Sequence, residues 1–315
     1  MYGMRFSAIC TMIIATCVYG QDYPTKAVRV LGGDAGGSTD TFARLISQGI
    51  SVTLGQPVIV ENRPTTLTPE VLARAAPDGY TLAIAGSTTW ITPLVQKTSY
   101  DPIRDFAPIT SVASYPYLLV VHPSLPVMSV KQLIDLAKSK PGTINVGATA
   151  SPGGASFLAT ELFKAMANVN IVRVPYKSNT QALAALLGGQ IDLMFNDVGA
   201  VGPLVRLDKL RPLAVTSLQK FSLAPDLPTM DGSGLPGFEM VTILGMLAPG
   251  ATPVTIIDRL NRETVRVLNT DEVKKRFLGA GVETATSSPE QLLEIIKSDM
   301  GKWGKVIKNA GIKAD

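Results

Sequence analysis

The residues of this chain best suited to chemistry are small, and they cluster. The stretch Leu31-Gly-Gly-Asp-Ala-Gly-Gly-Ser-Thr-Asp40 follows an apolar run and leads into a helical one. Its glycines let the backbone turn with several amides pointing into one space. A helix start adds unpaired N–H groups and a partial positive charge. Together these hold an oxyanion without a basic side chain. Gly36, Gly37, Ser38 and Thr39 are the candidate contacts, with Asp40 as the helix cap. The competing reading is a tight strand-to-helix turn that binds nothing.

A second turn of the same kind follows later, in Gly147-Ala-Thr-Ala-Ser-Pro-Gly-Gly-Ala-Ser156. Its candidates are Thr149, Ser151, Gly153, Gly154, Ala155 and Ser156. One such turn is common, whereas two, one in each half of the chain, predict a pincer. Each half would offer N–H and hydroxyl donors to opposite sides of one anion, and closure would follow from contacts made only when the halves meet.

Three further strand ends carry polar groups. In Ala85-Gly-Ser-Thr-Thr-Trp90, Ser87, Thr88 and Thr89 can reach the far end of a ligand, with Trp90 as a cover or a core residue. In Val174-Pro-Tyr-Lys-Ser-Asn179, Tyr176 is a candidate contact and Lys177 either neutralises a carboxylate or is simply solvated. Asn196 and Asp197 end another strand, where they select an amine or hydroxyl or form only a turn.

Enzyme chemistry finds little material. His122 is the sole histidine and lies in a Pro-flanked segment, and there is no Gly-x-Ser-x-Gly elbow to join it in a triad. No His-x-x-x-His, metal-spaced acidic cluster or phosphate loop occurs. Gly232-Ser-Gly-Leu-Pro-Gly237 matches a dinucleotide pattern, but it lies in a Pro-rich connector and leads into a strand. The expectation is a binding protein without catalytic residues, metal or cofactor.

Strand-like and helix-like runs that alternate must position these turns, which predicts an α/β fold with largely parallel sheets. Strands are expected at 28–31, 58–60, 82–85, 118–121, 145–147, 171–174, 192–195, 213–215 and 240–247. Helices are expected at 39–54, 69–76, 129–138, 154–167, 179–187, 252–268, 271–278 and 289–309. Thr68, Ser129, Asn179, Thr252 and Ser288 are the expected caps. Two βα blocks result, and the terminal strand and helices have no third block to cover. They are therefore expected to return to the first, giving one lobe from 21–122 plus 240–315 and another from 123–239. Hinges near His122 and Phe238 would leave the cleft between the lobes, at the strand C-terminal ends.

The first twenty residues set the compartment. Arg5 is the only charged side chain before Asp22, and Phe6 to Tyr19 is an uncharged run too short to span a bilayer. This reads as a signal peptide over 1–20, cut before Gln21, which implies export to the periplasm. A lipoprotein anchored through Cys17 is the lesser variant. Both cysteines, Cys10 and Cys17, fall in this leader, so the mature chain has no disulfide and no thiol chemistry. With 46% hydrophobic residues its core must hold it together. The leader carries Arg5 and no acid, so the formal charge falls from +4 to +3 on removal. No block of like charge and no basic stripe suggests nucleic acid.

Taken in order, several segments resemble the periplasmic receptors of tripartite tricarboxylate transporters, the Bug family. They include Gly36-Gly-Ser-Thr-Asp40, Leu54-Gly-Gln-Pro-Val-Ile-Val-Glu-Asn-Arg-Pro64 and Ala73-Arg-Ala-Ala-Pro-Asp-Gly-Tyr-Thr-Leu82. Others are Tyr100-Asp-Pro-Ile-Arg-Asp-Phe-Ala-Pro108, Val172-Arg-Val-Pro-Tyr-Lys177, Leu186-Leu-Gly-Gly-Gln-Ile-Asp192 and Trp303-Gly-Lys-Val-Ile-Lys308. The resemblance implies a two-lobed flytrap. It implies a small carboxylate, an amino acid or a di- or tricarboxylate, held by the two glycine-rich turns. It also implies membrane permease subunits as partners, or alternatively a sensor protein that reads the closed form. The chain departs from the family pattern twice. Gly32-Gly-Asp-Ala-Gly-Gly37 replaces a Pro-rich loop and brings Asp34 near the expected anion, and Thr65-Thr-Leu-Thr68 replaces a longer Gly-rich loop and shrinks one wall of the mouth.

Overall fold

A computed structural model describes residues 23–33, 35, 36 and 38–312, with Ser38 described by its backbone alone. The expected leader with Cys10 and Cys17, and the candidates Asp34 and Gly37, lie outside the described residues.

The chain folds as two α/β lobes. In the first, β1 (Val28–Leu31) lies parallel between β2 (Val58–Glu61) and β3 (Thr81–Gly86). The returning strand β9 (Val241–Pro249) pairs antiparallel with β3. In the second lobe, β5 (Asn145–Thr149) lies parallel between β6 (Val172–Tyr176) and β7 (Leu193–Asp197).

One strand belongs to both lobes. β4 runs from Phe106 to Val121. Its Phe106–Pro116 part pairs with β9, Tyr117–Val121 pairs with β7, and Leu118–Val121 pairs with β8 (Arg211–Val215). The partner therefore changes between Pro116 and Tyr117. Sequence reasoning placed a strand only at 118–121, because prolines at 108 and 116 argue against an interior strand. Both are accommodated where the ladder is broken, Pro108 beside a register shift and Pro116 at the change of partner.

The second-lobe end of β4 shows period-two packing. Leu118 and Val120 face a cluster with Met194, Val201 and Val215, under α6 (Asn179–Leu187) and α7 (Val198–Arg206). Leu119 and Val121 face the larger core, which joins Phe163 and Phe195 of the second lobe to Phe238, Met240 and the first-lobe interior.

Thr216, fully buried after β8, ties the two passes between lobes. Its N–H donates to the Tyr117 carbonyl at 2.9 Å and its carbonyl accepts from Met240 N at 2.8 Å. The long helix α10 (Pro289–Ala310) packs on α3 (Thr88–Val95), on β4 and on α5 (Ala155–Ala167), and so touches both lobes. Ser288 and Gln291 form the expected capping box at its start.

Other caps shift by one residue. Ser178, not Asn179, accepts from Gln181 N, and α8 (Val254–Leu268) begins after Pro253 while the Thr252 hydroxyl donates to Pro249 O. Thr68 is the first residue of α2 (Thr68–Ala73) instead of its cap. Helices α3 and α7 and the short strand β10 (Glu283–Thr284), which pairs with β4, were not expected.

The lobes approach closely at two glycines. A Cβ at Gly153 would lie 2.0 Å from Thr92 Oγ1, and one at Gly199 would lie 2.1 Å from the Ala280 carbonyl oxygen. Both positions therefore need the absent side chain. Ser222 Oγ also donates to Glu283 Oε1 across the lobes.

Candidate functional site

The lobes enclose a cavity of about 320 Å³, within the range of small-molecule sites. Among the described residues, five helices begin in its wall. These are α1 (Ser38–Leu54), α3, α5, α6 and α7, represented by Thr39, Thr88, Ala155, Thr180 and Ala200. Each follows a strand C-terminus, and each N-terminus carries about half a positive charge.

The sheet order fixes positions along the cleft. At the hinge end lie Tyr115 and Tyr117 of β4 and Thr242 and Leu244 of β9. The next second-lobe strand outward, β7, ends at Asn196 and Asp197, then β5 at Thr149 and Ser151, and finally β6 at Lys177. The first lobe matches this with Thr88 after β3, Gly36 and Thr39 after β1, and Thr65 and Thr66 after β2. Adjacent strands are separated by about 4.8 Å.

Of the expected site residues, the cavity wall contains Gly36, Thr39, Thr88, Thr149, Ser151, Gly154, Ala155, Asn196 and Asp197. The first turn is tied down by Asp40, which accepts from Gly36 N at 2.9 Å and pairs with Arg44 at 2.8 Å. Burial alone would raise the Asp40 carboxyl, but the Gly36 amide, Asn62 and Arg44 outweigh it and hold the group below its ordinary value. In the second turn Ser156 is fully buried. Its hydroxyl accepts from Thr149 N at 3.1 Å and donates to Asn179 Oδ1 at 2.8 Å, so it shapes the turn from behind. Gly153 faces Thr92 of the other lobe.

Ser87 and Thr89 are buried behind the cleft. Ser87 Oγ accepts from Ile243 N at 3.0 Å and stitches α3 to β9. Trp90 is a core residue whose Nε1 donates to Asp299 Oδ2 at 2.7 Å. Thr89 lines a smaller side cavity of about 100 Å³, and its carbonyl accepts from Tyr100 Oη at 2.9 Å. That carbonyl would ordinarily pair with the amide four residues on, but this is Pro93, which has no N–H. Tyr100 supplies the missing donor. Tyr176 does not line the cavity, and its ring packs near Gly147.

Sequence reasoning missed Tyr115, Tyr117, Thr242 and Leu244 because the strands that carry them were read short or without their crossing role. The Tyr-Pro-Tyr spacing was the available signal, since residues two apart on a strand share a face. The two rings stack at 6.4 Å and 11°. Burial pushes both phenols well above their ordinary values, with Asp197 nearby adding to the rise.

Asp197 caps α7, accepting from Ala200 N at 2.9 Å, while its own N–H donates to Asn196 Oδ1 at 2.9 Å. Burial pushes its carboxyl above the ordinary value, against the pull of backbone N–H groups of Ala200, Asp197 and Gly199. Among the described residues no group of three His, Cys, Asp or Glu could hold a metal ion, and no helix is long and apolar enough to cross a membrane. His122 lies outside the cavity wall, in contact with Ser124 Oγ at 2.7 Å.

The sequence profile of the tripartite tricarboxylate transporter family receptor, TctC, matches residues 42–312. Protein BugT of Bordetella pertussis is 31% identical over 312 residues, covering 97% of this chain and 95% of that protein. Among solved structures, an R. palustris protein with adipate superposes with a TM-score of 0.86 at 33% identity, over 93% of this chain and 99% of that one. MatC from Rhodopseudomonas palustris with bound malate gives 0.83 at 30% identity, over 90% of this chain and 100% of that one.

Proposed function

Since the chain belongs to the tripartite tricarboxylate transporter receptor family, we propose that it captures a small carboxylated solute between its lobes and presents the closed form to a membrane permease. The reading includes export to the periplasm, lobes formed by residues 21–122 with 240–315 and by 123–239, and no catalytic step. The observation that carries it is the pair of glycine-rich turns, one per lobe, whose Gly36 and Thr39 face the same cavity as Thr149, Ser151 and Gly154. Amides and hydroxyls at two helix starts suit a carboxylate. The adipate- and malate-bound relatives support that ligand class.

A thermal-shift screen of residues 21–315, stripped of ligand by unfolding and refolding, tests the reading. The panel is mono-, di- and tricarboxylates, amino acids and aromatic acids. A ligand at 100 times its Kd adds about 2.7 kcal/mol, a rise of a few degrees for a chain of this size. A rise confined to one carboxylate class supports the proposal, and the bound compound should be recovered chemically unchanged. Flat curves across the panel would overturn it.

A further inference from the structure

Among the described residues, the charged side chains in the cavity wall are Lys177 and Asp197, and their settings differ. Lys177 is exposed at the outer end. Asp197 lies two strands inward, next to the hinge. No cation among the described residues pairs with it, and its ionisable neighbours are the phenols of Tyr115 and Tyr117. Its hydrogen-bond donors are backbone N–H groups at the start of α7, among them Ala200 N at 2.9 Å, so its partners there are dipoles and not a formal positive charge. A ligand that brings a formal positive charge beside this carboxylate supplies the counter-ion that the described residues do not.

The strand between those two positions ends in the second glycine-rich turn, opposite the first. Asp40, the acid of the first turn's helix, is already held by Gly36 and Arg44. The anion site and Asp197 are thus neighbours along the cleft, about one strand spacing or 4.8 Å apart. That is the reach of an amine on the carbon next to a carboxylate, or one carbon further.

We infer that the cavity takes an amino-carboxylic acid, with its ammonium on Asp197 at the hinge end and its carboxylate between the starts of α1 and α5. This rests on the carboxylate-binding reading above and narrows it. A plain dicarboxylate would bring a second negative charge toward Asp197, and it is the poorer ligand.

Calorimetry on the stripped mature protein with matched pairs tests this. The pairs are aspartate and succinate, glutamate and glutarate, alanine and propionate, and phenylalanine and 3-phenylpropionate. The expected result is one amino compound bound at least 30-fold more tightly than its deaminated partner. Asp197→Asn keeps a good helix cap, and an unchanged melting temperature without ligand verifies folding. In that variant the ratio should collapse to within about threefold, mainly through weaker binding of the amino compound. Should a deaminated acid bind as tightly as its partner, or the ratio survive the substitution, the inference fails while carboxylate binding stands. Absence of binding by every acid overturns both.

Discussion

Thr216 Oγ1 accepts the backbone N–H of Tyr117 at 2.7 Å, and Thr216 N donates back to the Tyr117 carbonyl at 2.9 Å. The same hydroxyl donates to Met240 O at 2.5 Å. One buried threonine thus joins the outgoing and returning strands where the lobes meet. Thr216→Val leaves the Tyr117 amide and the Met240 carbonyl short of a partner in a buried place. A loss of roughly 1–3 kcal/mol is expected, read from urea unfolding. Thr216→Ser should recover most of it, and equal behaviour of the two variants would show the hydroxyl to be dispensable.

The close approach of Gly199 to Ala280 O separates closure from ligand contact. Alanine is a better helix former than glycine, so Gly199→Ala should not weaken α7 itself. Its methyl needs space that the other lobe's backbone occupies. Ligand affinity should fall by about tenfold or more, ~1.4 kcal/mol, with a larger radius of gyration by solution scattering. Unaltered affinity would mean that the lobes adjust without strain.

Thr39 and Ser151 face the cavity from opposite lobes. Leucine at either position fills the space between the two turns and removes a hydroxyl. Binding of the best ligand from the screen should drop below detection while unliganded melting shifts by less than a few degrees. Retained binding would place the ligand elsewhere in the cleft.

Asp299 gives a pH signature. Burial pushes its carboxyl above the ordinary range, against the pull of Trp90, Lys302 and Ser87. A carboxyl raised on folding contributes most below its unfolded value, and that contribution is lost as pH rises through the folded value. The Asp299→Asn side chain would carry no charge at any pH and still accept from Trp90 Nε1. Melting of this variant relative to the parent should therefore be more favourable at pH 7 than at pH 4. A difference independent of pH would show that Asp299 ionises as freely as in the unfolded chain.

Much of this architecture is legible in local chemistry. The glycine-rich turns, the Ser288–Gln291 capping box and the amphipathic terminal helices follow from spacing alone, because neighbouring residues determine them. The long β4 was not legible, since its Pro108 and Pro116 break the local pattern and are tolerated only where tertiary pairing leaves gaps. α3 was hidden by β-branched residues and Pro93, whose missing bond is replaced by Tyr100 from a later turn. The cleft lining from Tyr115, Tyr117 and Thr242 depends on which strands meet, and that is a long-range fact.

The change of partner in β4 has a consequence for how the molecule is put together. Pro116 and Val241 are direct partners on antiparallel strands, so the chain leaves the first lobe and re-enters it at points about 5 Å apart. Everything from Tyr117 to Met240 is then a single insert with adjoining ends. Only two neighbouring junctions would have to be rejoined to exchange such a piece, with the replacement also filling the core that Phe163 and Phe195 share with the first lobe. A chimera carrying the corresponding insert of a relative would keep one jaw of the clamp while exchanging the other, including Asp197 and Lys177.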